Sequence, residues 1–327
     1  MTDTAKRSAR FAWLSLRNNP WLGPLAALCL VYLLFVALRP DSFAGVAVLS
    51  TMVRQTVVVG ICAVGMTLVI VHGGIDLSVG SAVALTTVVV AALLKRGHGP
   101  GVAVLGGIGA SAACGLVNGV LITRLRVAPF IVTLGVMKVV RGAAKGLANE
   151  QKIDVDARGL DALLAPASRE NLAFFPVGVW IAIGVALLAA GLLRYTRLGR
   201  HIYAVGSNEQ TARLCGIEVS RVKVIVYTLA AVLTGLAGVM QFSTLTVGDP
   251  TDSFGLELDV IAAVVIGGGS LFGGEGSILG SLIGAFLMTV IKTGSTNVGL
   301  PNWVEEIITG VIIVVAVALD RVRHARR

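Results

Sequence analysis

The segment RLGRHIYAVGSNEQTARLCGIEVSRVKV, Arg197–Val224, is a polar interruption between two long apolar runs and carries its own helix start and stop signals. Ser207 is a favourable N-cap residue, and Gln210 follows at the spacing of a capping box. Gly216 suits the left-handed residue that follows a helix. The pattern predicts a helix of about two turns, which is too short to be stable alone in water and must dock against something.

Two interpretations of this segment are compatible with its spacing. It could be a solvated helix that joins two membrane spans. It could also be a lever that transmits mechanical work from a soluble partner to the spans.

The composition indicates a membrane protein. Apolar residues make up 55% of the chain and charged residues only 14%, and the mean hydropathy is +0.86. A soluble chain of 327 residues would need more polar surface. The net charge of +9 does not indicate nucleic-acid binding, because zinc-finger spacing, basic heptads and aromatic-basic interleaving are all missing. The four cysteines stand singly and the four histidines are scattered, so the sequence predicts neither disulfides nor a metal site.

Ten apolar runs are candidates for transmembrane spans, and they predict an all-α, polytopic helical bundle of about ten transmembrane helices. The first run is longer than the apolar part of a cleaved signal peptide, which favours a retained span. The two shortest runs, eight and nine, leave open whether the chain crosses fully there. The runs are Trp21–Leu38, Thr56–Val71, Val79–Leu94, Gly101–Thr123, Phe130–Leu147, Val177–Leu193, Val224–Leu245, Leu258–Phe272, Ser277–Ile291 and Trp303–Leu319.

The distribution of Lys and Arg predicts the orientation. With a cytoplasmic N-terminus, ten crossings place sixteen basic residues inside and eight outside, with Lys95 and Arg96 as the exception. Both termini are then cytoplasmic, in a multi-pass membrane protein. The predicted parts are a cytoplasmic arm (1–20), a transmembrane domain (21–319) with a cytoplasmic loop (194–223) and an outer loop (148–175), and a basic cytoplasmic tail (320–327).

Two glycine-rich corners fall on the cytoplasmic side in this topology. They are HGGIDLSVG, His72–Gly80, and IGGGSLFGGEGS, Ile266–Ser277. In the first, Asp76 or Ser78 is placed to cap the next span. Neither corner is a phosphate-binding loop, and there is no Walker-type lysine. The chain is therefore expected to bind no ATP and no other cofactor, and to carry no catalytic residue.

Glycines also recur at helical spacing, as Gly115 with Gly119 and as Gly280 with Gly284. Such pairs let helix backbones approach closely within a membrane.

Four motifs resemble the membrane permease of the ribose-type ABC sugar importers, a family that also takes up xylose, galactose and similar monosaccharides. They are GGIDLSVGS after His72, PFIVTLGVMKVVRG at 129–142, VGSNEQTARLCGIEVSRVKV at 205–224, and GGGSLFGGEGSILGSLIGAFLM at 267–288. The resemblance covers nearly the whole chain. It implies that residues 21–319 are the permease domain of a bacterial inner-membrane protein and that the outer loop 148–175 is periplasmic. It also implies import of a pentose or hexose, without indicating which sugar.

The resemblance also implies partners. These are a second permease copy, identical or not, cytoplasmic ABC ATPase subunits that bind the ATP and Mg²⁺, and a periplasmic sugar-binding protein. The loop after span six would carry the helix that couples to the ATPase. By position its residues are Ser207, Glu209, Gln210, Arg213, Leu214, Gly216 and Arg221.

Polar side chains within and beside the spans are candidates for a sugar path, because a neutral polyol needs modest polar groups to cross. The candidates are Asn118, Thr133, Met137, Arg141, Gln241, Thr244 and Asn297. Lys138 departs from the small polar residue expected from the family. The charges of this fifth span could equally extend outward or pair with acidic neighbours. In the periplasmic loop, Lys152, Arg158 and Arg169 are candidates for docking acidic groups of the binding protein.

Two rival classes remain. Glycine-interrupted spans eight and nine are also typical of ion-gradient-driven secondary transporters of small polar solutes. Such a transporter would need an intramembrane carboxylate relay, and only Asp259, near a predicted membrane edge, comes close. A membrane-embedded enzyme would need a catalytic cluster that the sequence lacks.

Overall fold

The computed structural model describes residues 21–43, 45–165 and 175–325. The predicted arm 1–20, the docking candidate Arg169 and the last two residues of the basic tail lie outside these ranges. The described chain is all-α apart from a short antiparallel ribbon, in which β1 (Ile153–Asp154) pairs with β2 (Val247–Gly248), and one 3₁₀ helix at Leu160–Leu163. The α-helices are α1 Leu22–Leu38, α2 Pro40–Phe43, α3 Val46–Val71, α4 Val79–Lys95, α5 Pro100–Leu125, α6 Pro129–Leu147, α7 Val177–Tyr195, α8 Arg197–Ser207, α9 Glu209–Leu214, α10 Val219–Leu245, α11 Leu256–Ile266, α12 Ile278–Val298 and α13 Asn302–Ala325.

Each of the ten predicted apolar runs contains a helix, but the helices do not end where the runs end. α3 begins at Val46, well before the predicted Thr56, and α10 begins at Val219 rather than Val224. Apolar composition marks only the part of a helix that lies in hydrocarbon, whereas the backbone hydrogen bonds continue into the interface. In the described chain, five helices are long and apolar enough to cross a membrane, namely α3, α5, α7, α10 and α12.

The prediction for the eighth run, Leu258–Phe272, is wrong at its C-terminal end. α11 has 11 residues and ends at Ile266, so it is about 16 Å long. That is about half the thickness of a hydrocarbon core. The helix ends because Gly267 caps it and Gly268 takes a left-handed conformation with φ of +92°. The remaining apolar residues of the run form a glycine-rich turn.

α3 is the centre of the bundle. Its residues from Gly60 to Val71 are all buried, so the helix is enclosed on every side over this length. It packs against α7, α8, α10, α11 and α12.

α5 and α10 pack backbone to backbone through small residues. Gly115 lies against the carbonyl of Tyr227, and Gly119 lies against Val224, leaving no room for a Cβ atom at either glycine. Ser111 Oγ donates a 2.6 Å hydrogen bond to the carbonyl of Ala231 across the same contact. The predicted role of the Gly115 and Gly119 pair is confirmed.

The first glycine corner is not a simple turn at the membrane surface. After His72 the chain runs back into the protein, where the carbonyl of Ile75 accepts hydrogen bonds from Thr133 Oγ1 (3.2 Å) and the Tyr227 hydroxyl (3.4 Å). Thr133 lies in the second turn of α6 and Tyr227 in the third turn of α10. α4 therefore starts at a level well inside the bundle.

A second non-helical segment, residues 249–255, enters from the opposite side. Arg141 Nη1 donates to the carbonyls of Pro250 (3.0 Å) and Asp252 (2.6 Å). Gly80, in the first turn of α4, packs directly on the carbonyl of Ser253 and the carboxylate of Glu257. The N-termini of α4 and α11 thus meet inside the protein, an arrangement that is tolerated at membrane depth only where protein buries it.

We predict that Gly115→Ala destabilises the protein, whereas Gly109→Ala on the same helix does not. A methyl group at position 115 collides with α10, which costs about 1–3 kcal/mol. Position 109 is open, so alanine there gains helix propensity. Thermal unfolding in detergent, followed by tryptophan fluorescence, measures both. Equal melting temperatures for the two variants would contradict the packing described above.

Candidate functional site

The polar segment after α7 forms two consecutive helices, α8 and α9. The prediction that Ser207 is the N-cap of the second helix is wrong, because Ser207 is the last residue of α8. Asn208 takes the N-cap position, and its Oδ1 accepts a 2.9 Å hydrogen bond from the Thr211 amide. The predicted stop is confirmed, since Gly216 has φ of +82° and its amide donates to the carbonyl of Arg213.

Glu209 fastens α9 to α10. Its carboxylate forms 2.8 Å ion pairs with Arg213 in the same helix and with Lys223 in α10. Burial alone would raise the pKa of Glu209, but the hydrogen bonds and charges of Lys223 and Arg213 outweigh burial and hold this pKa below its ordinary value. The pair is therefore fully formed at neutral pH.

The other face of α9 is open. The Leu214 side chain is 88% exposed, and Gln210, Arg213 and Gly216 are exposed beside it. Arg221 lies on α10 and pairs with Glu218 at 3.4 Å, where solvent makes the pair weak. Apart from Glu209, which is half-buried, the predicted coupling residues thus lie on exposed surface.

α8 connects α9 to both glycine corners. Gly206 packs on the carbonyl of Val71 at the end of α3 and on the backbone of Gly274 in the second corner. The Gly274 amide donates a 2.8 Å hydrogen bond to the same Val71 carbonyl, and the Tyr203 hydroxyl donates to the carbonyl of Gly276 at 2.8 Å. A displacement of α9 would therefore move α8, which contacts the end of α3 and the segment that leads into α12.

The first group of predicted path residues lies in the closed interior of the chain. Asn118 and Thr133 are fully buried. Asn118 Nδ2 donates to Ser78 Oγ (2.9 Å), and Ser78 donates from its amide and hydroxyl to the Asp76 carboxylate (2.8 and 2.6 Å). These side chains hold the first corner in place. Ser78 lies at the N-cap position of α4 but forms no side-chain capping hydrogen bond, so the predicted cap is not formed.

The second group lies around the entering segment 249–255. Gln241 Nε2 donates a 2.9 Å hydrogen bond to Asp252 Oδ2, next to the two carbonyls held by Arg141. Met137, one turn from Arg141, is half-buried. Glu257 Oε2 is buried and makes no hydrogen bond within the described chain. Arg141 and Gln241 are thus brought together with two carboxylates that sequence reasoning missed.

The remaining candidates do not join this cluster. Thr244 is exposed and donates to the carbonyl of Met240, while Asn297 donates to the carbonyl of Thr293, each within its own helix. Lys138 is exposed on α6.

The face opposite α9 carries a basic hollow of about 320 Å³ next to the β1–β2 ribbon. Lys152 pairs with Asp249 at 2.9 Å, and the amide and hydroxyl of Thr251 donate to the same carboxylate. Lys95 and Arg96 line the same hollow. Arg158 donates to the carbonyls of Gly97 (3.3 Å) and His98 (3.1 Å) and so ties this loop to the end of α4. The two exceptions to the charge rule, Lys95 and Arg96, therefore belong to the same basic surface as Lys152.

Among the described residues, no group of three His, Cys, Asp or Glu side chains is arranged to hold a metal ion.

Comparison with known proteins gives the family. The family model described as branched-chain amino acid transport system / permease component matches residues 48–317. The chain belongs to this family of membrane permease components.

Its relatives include permeases of sugar importers. The ribose import permease protein of Escherichia coli (strain K12) is 39% identical over 320 residues, 98% of each chain. The fructose import permease protein of Rhizobium meliloti is 35% identical over 94% of this chain and 86% of its own length. The L-arabinose ABC transporter permease protein of Azospirillum brasilense is 38% identical, over 82% and 78%. The predicted resemblance to permease subunits of ABC sugar importers is confirmed. No solved structure matches the chain.

We predict that Glu209→Gln loosens α9 while Glu218→Gln does not. Loss of the Glu209 charge leaves Lys223, whose side chain is only 18% exposed, without its partner, whereas Glu218 sits in an exposed pair. Hydrogen–deuterium exchange of 205–216 should rise about fivefold in the first variant, as expected for a pair of about 1 kcal/mol.

The same experiment has a pH dependence of known sign. Because the folded-state pKa of Glu209 is lowered, its stabilisation is complete above the ordinary carboxyl range and is lost only as the pH falls through that lowered pKa. Once corrected for intrinsic rates, wild-type exchange should not change between about pH 6 and 8. Unchanged exchange in Glu209→Gln would show that the pair does not hold α9.

Proposed function

We propose that this chain is the permease subunit of an ATP-binding-cassette importer that moves a monosaccharide, a pentose or hexose, from the periplasm to the cytoplasm. The observation that carries the proposal is the backbone contact of Gly206 with Val71 and Gly274, which joins an exposed surface helix to the interrupted elements of the bundle. The relatives named for ribose, fructose and L-arabinose support the substrate class.

The proposed orientation has ten crossings with both termini in the cytoplasm of a bacterium. Contacts among α8, α9 and both glycine corners support it, because they gather these segments at one end of the bundle. The β1–β2 ribbon and the hollow beside Lys152 lie at the end of α4 away from those corners. The short α11 counts as one crossing only together with the entering segment 249–255 that precedes it.

The proposed partners follow from this arrangement. ATPase subunits, which bind the ATP and Mg²⁺, receive the exposed face of α9 with Gln210, Arg213 and Leu214. A periplasmic binding protein docks acidic groups on the basic surface of Lys95, Arg96, Lys152 and Arg158. A second permease copy completes the path. The chain itself carries out no hydrolysis.

We place the sugar path beside Arg141, Gln241, Asp252 and Glu257. Planar amide, guanidinium and carboxylate groups can exchange hydrogen bonds with several hydroxyls of a sugar. The carboxylate of Asp252 is already held by Gln241, and Glu257 has an acceptor oxygen without a donor in the described chain. Asn118 and Thr133 serve this path indirectly by holding the first corner.

The proposal is tested by uptake in proteoliposomes that contain the permease, its ATPase and its binding protein. Wild type should accumulate one labelled sugar from a panel of pentoses and hexoses in an ATP-dependent manner. Glu209→Arg and Leu214→Asp should each lower uptake at least about tenfold while the permease stays in the membrane. Leu125→Asp, which changes an exposed leucine of α5 in the same way, is the control.

Two results would contradict this function. Normal ATP-driven uptake by both α9 variants would show that α9 is not the coupling element. Uptake that persists without the ATPase and collapses with a protonophore would support the secondary transporter instead. Against that rival, Asp259 forms an ion pair with Lys292 and is not a free relay carboxylate.

We further predict that Asp252→Asn impairs the sugar path without uncoupling the ATPase. The change removes a charge that Gln241 holds next to the Arg141-bound carbonyls, so uptake should fall about tenfold. ATP hydrolysis stimulated by the binding protein should continue. Thr296→Val, which removes an exposed hydroxyl bonded only within its own helix, is the matched control. Parallel loss of uptake and stimulated hydrolysis would place Asp252 in the coupling route instead.

A further inference from the structure

A groove of about 600 Å³ lies where α7 ends, α8 begins and α12 starts. It is separate from the exposed face of α9 and from the polar cluster around Arg141. The function proposed above assigns it no role. The lining residues are Ala190, Leu193, Arg194, Arg200, Tyr203, Ser277, Ile278 and Leu279.

The apolar part of the groove continues an exposed stripe of α7. Ile183 and Leu187 are 44% and 69% exposed, and Ala190 and Arg194 follow them on the same helix face at i+3 and i+4 spacing. On the other wall, Leu279 is 55% exposed. Since exposed leucines on a membrane helix face lipid or another membrane protein, the groove opens sideways into that apolar surrounding.

The polar part of the groove is basic and unpaired. Arg194 and Arg200 are both exposed, and neither forms an ion pair with an acidic side chain of the described chain. The Arg194 guanidinium lies 5.5 Å from the centre of the Tyr195 ring, a residue type that favours the membrane–water interface. Two guanidinium groups without a carboxylate partner form a site for an anion.

α8 has the features of a helix that lies along a membrane surface. Its Gly199 and Ile202 are buried, whereas Arg197 and Arg200 are exposed on the opposite side. Gly199 packs directly on the carbonyls of Leu192 and Leu193, which holds α8 against the end of α7. The fixed position of α8 sets Arg200 at one edge of the groove, with Arg194 at the end of the apolar stripe.

We propose that this groove binds an anionic phospholipid of the inner leaflet. The phosphate lies between Arg194 and Arg200, and one acyl chain follows the Leu187–Ala190 stripe of α7. The lateral opening and the apolar walls favour a phospholipid over free phosphate, which would use only the two arginines. The inference uses the proposed orientation but not the transport activity, because binding is measured on the permease alone.

Such a lipid would also touch the coupling route. Tyr203 lines the groove and donates its hydrogen bond to Gly276 at the end of the second corner. A bound lipid therefore stabilises the position of α8 relative to α12.

The experiment titrates the purified full-length permease in mild detergent with phosphatidylglycerol or phosphatidylcholine and counts bound lipids by native mass spectrometry. Wild type should retain phosphatidylglycerol selectively. Arg194→Gln/Arg200→Gln should lower the affinity for phosphatidylglycerol at least about tenfold and leave the binding of phosphatidylcholine unchanged. Arg124→Gln/Arg126→Gln removes two exposed arginines of the same predicted membrane side and should behave as wild type.

A second variant separates a built groove from general attraction of charge. Leu279→Trp fills the groove while leaving both arginines in place, and it should also lose selective phosphatidylglycerol binding. Full retention by either groove variant would overturn the proposal. Displacement of the lipid by millimolar inorganic phosphate would overturn it in favour of a free-phosphate site. Loss of ATPase co-purification by Arg194→Gln/Arg200→Gln without added lipid would show instead that the groove is a protein interface.

Discussion

The structure depends on one constraint, which is that the hydrocarbon core of a membrane offers no hydrogen-bond partner to an exposed peptide group. Two non-helical segments lie inside the bundle, at 72–78 and at 249–255. In both, backbone carbonyls accept hydrogen bonds from side chains. Thr133 and Tyr227 donate to the first, and Arg141 donates to two carbonyls of the second. The position of Tyr227 is set in turn by the close contact of α10 with α5, because the Tyr227 carbonyl packs on Gly115.

Features that depend on local sequence could be predicted. The apolar runs located a helix each, and the glycine pairs located close helix contacts, because length and small-residue spacing act directly. Hydropathy alone misplaced the end of α11. Leu258–Phe272 is apolar apart from Asp259 and Ser270, whereas the predicted glycine-rich corner begins at Ile266, where the helix ends. The close approach of Gly267 to Gly280 could not be predicted from the sequence. Hydropathy also does not predict that the first glycine corner turns back into the protein.

The candidate sites divide in the same way. Ser207 and Asn208 are both good N-cap residues, and nothing local distinguishes them. The choice depends on α8, which continues through Gly206 onto Val71. The contact of Arg141 with Asp252 joins residues 111 positions apart, so no local sequence pattern predicts it. The basic hollow could not be predicted either, because only folding places Lys95 and Arg96 next to Lys152.

The enclosure of α3 has a consequence for biosynthesis. The helices that surround it, α7, α10, α11 and α12, are all made after it. While the ribosome is still translating, the apolar surface of α3 must be solvated by lipid or by the insertion machinery. Its hydrophobicity therefore serves its passage into the membrane, whereas its final surroundings are protein. A nascent chain that stops after α6 would leave this helix without its permanent neighbours, and quality-control proteases could recognise that unfinished state.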